Sequence, residues 1–177
     1  SIIWGSSFIL IQKSLEHFNP YEVGALRVLI AEILLLPMAI SNIKKFPRKN
    51  LKWLLLAAIS GNFIPMFLFP IAETNISSSI AGIVNSMMPI FVIIVGFLFW
   101  QFSTTKRQLV GVAISFAGAC ILAISGGEGG ELKLIPIILL LVATLGYAIS
   151  MTTVKSKLSD VPAKILSGFV FSFVLFI

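Results

Sequence analysis

The chain is poor in charge. Only 11% of its 177 residues are Asp, Glu, Lys or Arg, against about 25% in an ordinary soluble domain. Without polar residues to cover a surface, a cytosolic enzyme and a solvated disordered chain are both excluded. A single cysteine, Cys120, lies in an apolar stretch. No disulfide can form within the chain, which excludes a secreted disulfide scaffold. There is one histidine, His17, and no HExxH, paired-aspartate motif, Ser-His-Asp arrangement or Cys/His cluster at metal-ligand spacing. No catalytic residue, metal site or cofactor is therefore expected. The glycine run at 126–130 lacks the Gly-Lys-Ser/Thr ending of a phosphate-binding loop and reads as a flexible linker.

What the chain has in abundance is apolar length: 58% of residues are hydrophobic and the mean hydropathy is +1.04. A membrane-spanning helix needs about 20 mostly apolar residues. Polar punctuation cuts the chain into seven segments, Ile2–Ser14, Pro20–Ile40, Leu51–Ala72, Ser77–Trp100, Gln108–Ser125, Leu134–Val154 and Pro162–Ile177. The fold expected is an all-α, multi-span helical bundle. The first and last segments are short and no Met opens the chain, so the expectation is a piece of a longer protein. A signal peptide at Ile2–Ser14 is disfavoured because no positive stretch precedes it.

The basic residues are one-sided. Ten of the 13 Lys and Arg fall in three alternate connections: Lys44, Lys45, Arg48, Lys49 and Lys52 after the second span, Lys106 and Arg107 after the fourth, and Lys155, Lys157 and Lys164 after the sixth. The other connections hold only Lys13 and Lys133. Because short cytoplasmic loops carry the Lys/Arg excess, the expected location is the cell (inner) membrane, multi-pass, with the N-terminus cytoplasmic. The basic loops read as topology and anionic-lipid contact, not nucleic-acid binding.

Sliding the chain against itself by 142 residues aligns Lys13-Ser14 with Lys155-Ser156, Pro20 with Pro162 and Val28 with Val170. Five spans separate the copies, so the second would be upside down. Inverted repeats are a frequent build of transporters, with a substrate site near the midplane between the halves. The expected division is a first five-span repeat at 1–125, a linker at 126–133 and the start of a second repeat at 134–177.

Polar residues at bilayer depth are functional candidates. In the fourth span Ser78, Gly82, Asn85, Pro89 and Gly96 share one helical face, consistent with either a cavity wall or a close helix seam. In the third, Ala58, Asn62, Pro65, Phe69 and Glu73 share a face, again pairing an Asn with a proline one turn on. The sixth offers Gly146, Ser150, Thr153 and Lys157. In the second, Arg27 lies about 10 Å in, within snorkelling reach of the outer interface. Glu32 lies about 18 Å in, among Gly24, Ala25, Ala31 and Ala39. An isolated charge there costs about 2.5–3.5 kcal/mol, so Glu32 is expected to be protonated, paired or wet. Trp4 and Trp100 read as interfacial anchors.

Three stretches carry a family resemblance. They are Trp4-Gly5-Ser6-Ser7-Phe8 with Lys13, Asn19-Pro20 and Ala25-Leu26-Arg27; Ser79 through Phe91 within the span of Asn85 and Pro89; and Gln108-Leu109-Val110-Gly111 with Gly118. Together they resemble the EamA family of the drug/metabolite transporter superfamily. The resemblance implies ten spans in two inverted five-span halves around a central cavity, moving small metabolites such as amino acids. The leading reading of the residues is a secondary carrier working by alternating access, with Trp4, Arg27, Glu32, Asn62, Asn85 and Pro89 as candidate substrate-binding or cavity-lining residues. The expected partners are a small-molecule substrate and the bilayer; a homo-oligomer stays open. The family usually places a Gly-Glu pair before the fifth span where this chain has Gln101-Phe102. The alternative is a non-transporting membrane scaffold or sensor whose polar helix faces serve only packing.

Overall fold

The computed structural model describes residues 2–42, 48–125 and 133–174, with a few side chains near the ends of those stretches, Trp4 and Cys120 among them, outside the description. The expected linker falls on 126–132, outside the described residues, apart from Lys133.

Every described element is helical. We label them α1 (Ile2–Ser14), α2 (Pro20–Asn42), α3 (Leu51–Glu73), α4 (Ser78–Trp100), α5 (Lys106–Ser125), α6 (Leu134–Lys157) and α7 (Ala163–Val174). Among the described residues, α2, α3, α4 and α6 are long and apolar enough to cross a membrane, and α7 is a shorter apolar helix. The chain is an all-α multi-span membrane protein. Ile33, Leu34, Phe97, Phe99 and Ile135 stand roughly 70% exposed, as side chains facing acyl chains would.

Side chains at the helix starts fix several ends. Asn19 and Glu22 form a reciprocal cap on α2: the Glu22 N–H donates to Asn19 Oδ1 and the Asn19 N–H to Glu22 Oε2, each at 2.9 Å. Thr105 and Gln108 repeat the device on α5, the Thr105 N–H donating to Gln108 Oε1 at 2.9 Å and the Gln108 N–H to Thr105 Oγ1 at 3.3 Å. That cap starts α5 two residues before the hydropathy does.

Prolines interrupt two spans. In α3 a wide turn, Ile59–Phe63, separates two α-helical halves. Pro65 has no N–H to give the Gly61 carbonyl, and the Ile64 N–H bonds back to Ile59, five residues away. In α4 the helix stops after Asn85 and restarts at Met88, so Pro89 takes a first-turn position where no N–H is needed. The single polar face expected along the fourth span is therefore not continuous. Asn85 is buried in the first half and Pro89 is exposed in the second, because the break changes the rotation between them.

The two ends of the bundle differ as the loop charges imply. At one end Trp53 of α3 meets Trp100 of α4 edge-on at 5.5 Å. Lys157 of α6 lies over both rings, at 5.5 and 5.3 Å, and Lys52 lies 5.0 Å over Trp53. At the other end Lys133 donates to Asn75 Oδ1 at 3.4 Å, and the Ser78 N–H donates to Gln12 Oε1 at 3.2 Å.

The core is built on α6, which packs against both halves of α3 and the second half of α4, while α2 packs most extensively on α7. Gly168 of α7 backs onto Ala39 near the end of α2, where an added Cβ would come within 2.9 Å of the Ala39 nitrogen. Phe171, one turn further along α7, shares a cavity with Arg27, three turns earlier on α2. The two helices therefore run in opposite directions.

Gln101 ends α4 with φ 53° and ψ 34°, the left-handed region. It is the only non-glycine with positive φ among the described residues. Its N–H and that of Phe102 both turn back to the Gly96 carbonyl. A side chain in this conformation costs about 1–2 kcal/mol, a cost that glycine would not carry. Gln101→Gly is expected to stabilise the protein by up to about 1 kcal/mol, read as a rise in the thermal unfolding midpoint in detergent. A fall would contradict this account of the turn.

Candidate functional site

The interrupted part of α3 sits where α6 comes closest. A Cβ on Gly146 would run into the Ser60 carbonyl oxygen, and one on Gly61 into the Ser150 side chain. Ser150 Oγ donates across the same seam to the Ala57 carbonyl at 3.0 Å. Small residues let the two backbones approach, and the wide turn of α3 gives its polar groups somewhere to go. Ser60 Oγ donates to the Leu56 carbonyl at 2.6 Å, and Asn62 takes a place on a cavity wall.

That cavity holds about 290 Å³ and is walled by five helices. Ser7, Phe8 and Ile11 come from α1 and Arg27 from α2. Gly61, Asn62, Met66 and Phe69 come from α3, Tyr147 from α6 and Phe171 from α7. Three rings form a tilted run along one side: Phe8 to Phe69 at 5.4 Å and Phe69 to Tyr147 at 5.9 Å between centroids. Phe69 is 1% exposed and anchors that wall.

The polar groups converge on the same place. Arg27 lies within electrostatic reach of Tyr147 and Glu73. Arg27 Nη1 and both carboxyl oxygens of Glu73 are buried without a hydrogen-bond partner in the described protein. Arg27 does not snorkel to the interface as expected. Its face of α2 packs inward, within electrostatic reach of Tyr147 on α6 and Glu73 on α3. A planar guanidinium with an unengaged N–H, an amide at the wide turn of α3 and an aromatic wall can receive a small ligand with an anionic head and a modest apolar body.

The other candidates lie elsewhere. Glu32 is 3% exposed on the stripe Gly24, Val28, Glu32, Ala39, with Oε2 unpartnered, and it is not a wall of this cavity. Asn85 is buried in α4 with Oδ1 unpartnered, again outside the cavity wall. Pro89 lines a different hollow, beside α5. Trp4 lies in the first turn of α1 and its side chain is outside the described residues. Reasoning from sequence placed Glu73 on the face of Asn62 without choosing it. Its position one turn beyond Phe69 was the available signal. Tyr147 was missed, although a tyrosine in an otherwise aliphatic span needs a partner for its hydroxyl.

Residues 1–124 match the EamA-like transporter family. The chain is 31% identical over 156 residues to an uncharacterized transporter of Archaeoglobus fulgidus, an alignment covering 88% of this chain and 55% of the relative. It is 33% identical over 153 residues to the uncharacterized inner membrane transporter YedA of Escherichia coli K12, covering 83% of this chain and 48% of the relative. An uncharacterized transporter of Clostridium kluyveri matches at 27% over 179 residues, covering 97% and 55%. The chain thus spans about half the length of the curated relatives it matches. No solved structure matches it. The sequence pattern, the helical bundle and the match over residues 1–124 converge on one assignment: the chain belongs to the EamA-like transporter family.

Proposed function

We infer that the full-length protein is a secondary carrier of small metabolites bearing a carboxylate, amino acids among them, and that substrate binds on Arg27 in the cavity described above. The observation that carries this is the convergence of Arg27, Asn62 and Tyr147, from three helices, on one hollow with an aromatic wall. In this reading the guanidinium binds the carboxylate, Asn62 supplies a hydrogen bond beside it, and the Phe8–Phe69–Tyr147 run packs the apolar part. Glu73, which shares the field of Arg27, is the carboxyl group coupled to the anion-binding guanidinium. Glu32 and Asn85 act from outside the cavity, at helix contacts that must rearrange.

The architecture supports alternating access. Residues 1–125 form the first five-span repeat, 126–133 a linker and 134–177 the start of an inverted second repeat, with the N-terminus cytoplasmic. Two observations favour inversion: α2 and α7, the aligned members of the two copies, run in opposite directions, and the lysine-rich connections gather at one end of the bundle. The interruption at Ile59–Phe63 gives α3, which walls the cavity, a bending point, and the break after Asn85 gives α4 another.

The test is counterflow of radiolabelled amino acids by the full-length protein in liposomes. Uptake should fall about tenfold in Asn62→Ala and be largely lost in Glu73→Gln. Wild-type rates in both variants would sink the site assignment. A wild-type protein without counterflow of any amino acid tested would favour a scaffold or sensor.

A further inference from the structure

A second, larger hollow of about 550 Å³ lies between the second half of α4, residues 102–104, the start of α5 and the last turns of α6. It is amphipathic along its length. Ser103, Thr104, Gln108 and Lys155 stand at its mouth, at the bundle end where the lysines gather, and Met88, Pro89, Val92 and Ile93 line its depth. No Asp or Glu is among the lining residues. Lys155 Nζ sits 4.7 Å over the Phe102 ring. That ring is itself pressed against Gly96, where an added Cβ would lie 2.9 Å away. The lysine is thus held at the mouth rather than trailing into solvent. A Cβ on Gly111, on the α5 wall, would meet nothing within 4 Å. The thirteen residues Met88–Trp100 extend about 20 Å at 1.5 Å per residue. One leaflet of a hydrocarbon core about 30 Å thick fits within that length.

We propose that this groove holds one anionic phospholipid from the leaflet on the lysine-bearing side. Its phosphate lies on Lys155 with the Ser103 and Thr104 hydroxyls in reach, and one acyl chain lies along Pro89, Val92 and Ile93. The argument is charge complementarity at one end and apolar length at the other. A zwitterionic lipid would bring the same phosphate together with an ammonium group, which Lys155, Lys106 and Arg107 repel, so the cationic mouth favours a net anionic headgroup. A soluble anion would leave the apolar depth exposed. Lys106 and Arg107, at the start of α5, add to the positive field at the mouth. The proposal does not depend on the substrate cavity.

The experiment is native mass spectrometry of the full-length protein extracted from vesicles of equimolar phosphatidylglycerol and phosphatidylcholine. The wild type should retain one phosphatidylglycerol in preference to phosphatidylcholine. Lys155→Gln should lower that retention about fivefold, and Lys155→Arg should keep it. Gly111→Leu, which fills the groove wall, should abolish it. Lys157→Gln, which removes an equal charge from the Trp53 and Trp100 rings outside the groove, should leave it unchanged. Equal retention of both lipids overturns the proposal, as does retention of neither because another segment or second copy covers the groove. So does a loss in Lys157→Gln matching that in Lys155→Gln, or wild-type retention in Gly111→Leu.

Discussion

Arg27→Ala is expected to weaken substrate binding by the full-length protein by about tenfold to a hundredfold. That is the range given by losing a charge-assisted hydrogen bond of about 1.5–3 kcal/mol. Arg27 is the charged group on the cavity wall, and its Nη1 has no protein partner. The substitution also leaves Glu73 without the opposite charge in its field. A loss of function could then reflect lost folding rather than lost binding. Adding Glu73→Gln to Arg27→Ala separates the two. The double variant should recover the thermal midpoint of the wild type while binding stays weak. Arg27→Lys should bind better than Arg27→Ala but below wild type, because a point charge replaces a planar fork. If Arg27→Ala binds as the wild type does, the substrate does not lie on this guanidinium.

The second large effect is structural. Gly146→Ala should cost about 1–3 kcal/mol, because its Cβ meets the backbone oxygen of Ser60 and backbone cannot rotate away. Gly61→Ala should cost a similar amount, but there the obstacle is the Ser150 side chain. Ser150→Gly should therefore rescue Gly61→Ala and do nothing for Gly146→Ala. Denaturation in mixed detergent micelles reads both. A rescue of Gly146→Ala by Ser150→Gly would mean that the α3–α6 seam is not packed as described.

Much of this architecture is legible in the chain because it follows from one-dimensional quantities. Apolar length sets the spans, and the alternation of lysine-rich and lysine-poor connections matches the two ends of the bundle, with Lys52 and Lys157 at one and Lys133 at the other. Asn19 announces the start of α2, and Pro65 and Pro89 announce the interruptions. The convergence of side chains was less legible, since it depends on how helices rotate against each other. Arg27 reads as a snorkelling residue when only its depth is known. It turns inward because Glu73 and Tyr147 arrive from α3 and α6, which the order of residues does not reveal. Glu32 lies on the Val28 stripe that α7 covers, which keeps it away from the cavity that Arg27 lines. Pro89 shares a helical face with Asn85 only while the helix is unbroken, and the break that Pro89 marks puts it beside α5.

The central claim is that Arg27, Asn62 and the Phe8–Phe69–Tyr147 wall enclose a site that water and substrate reach. Single cysteines at positions 7, 62 and 34, placed in the full-length protein after its own cysteines, Cys120 among them, are replaced by alanine, test it with a membrane-impermeant thiol reagent. Positions 7 and 62 should react and be protected by saturating substrate, while position 34, on the exposed apolar face of α2, should not react. If position 62 proves as unreactive as position 34, the hollow is a dry seam between helices and the account is contradicted.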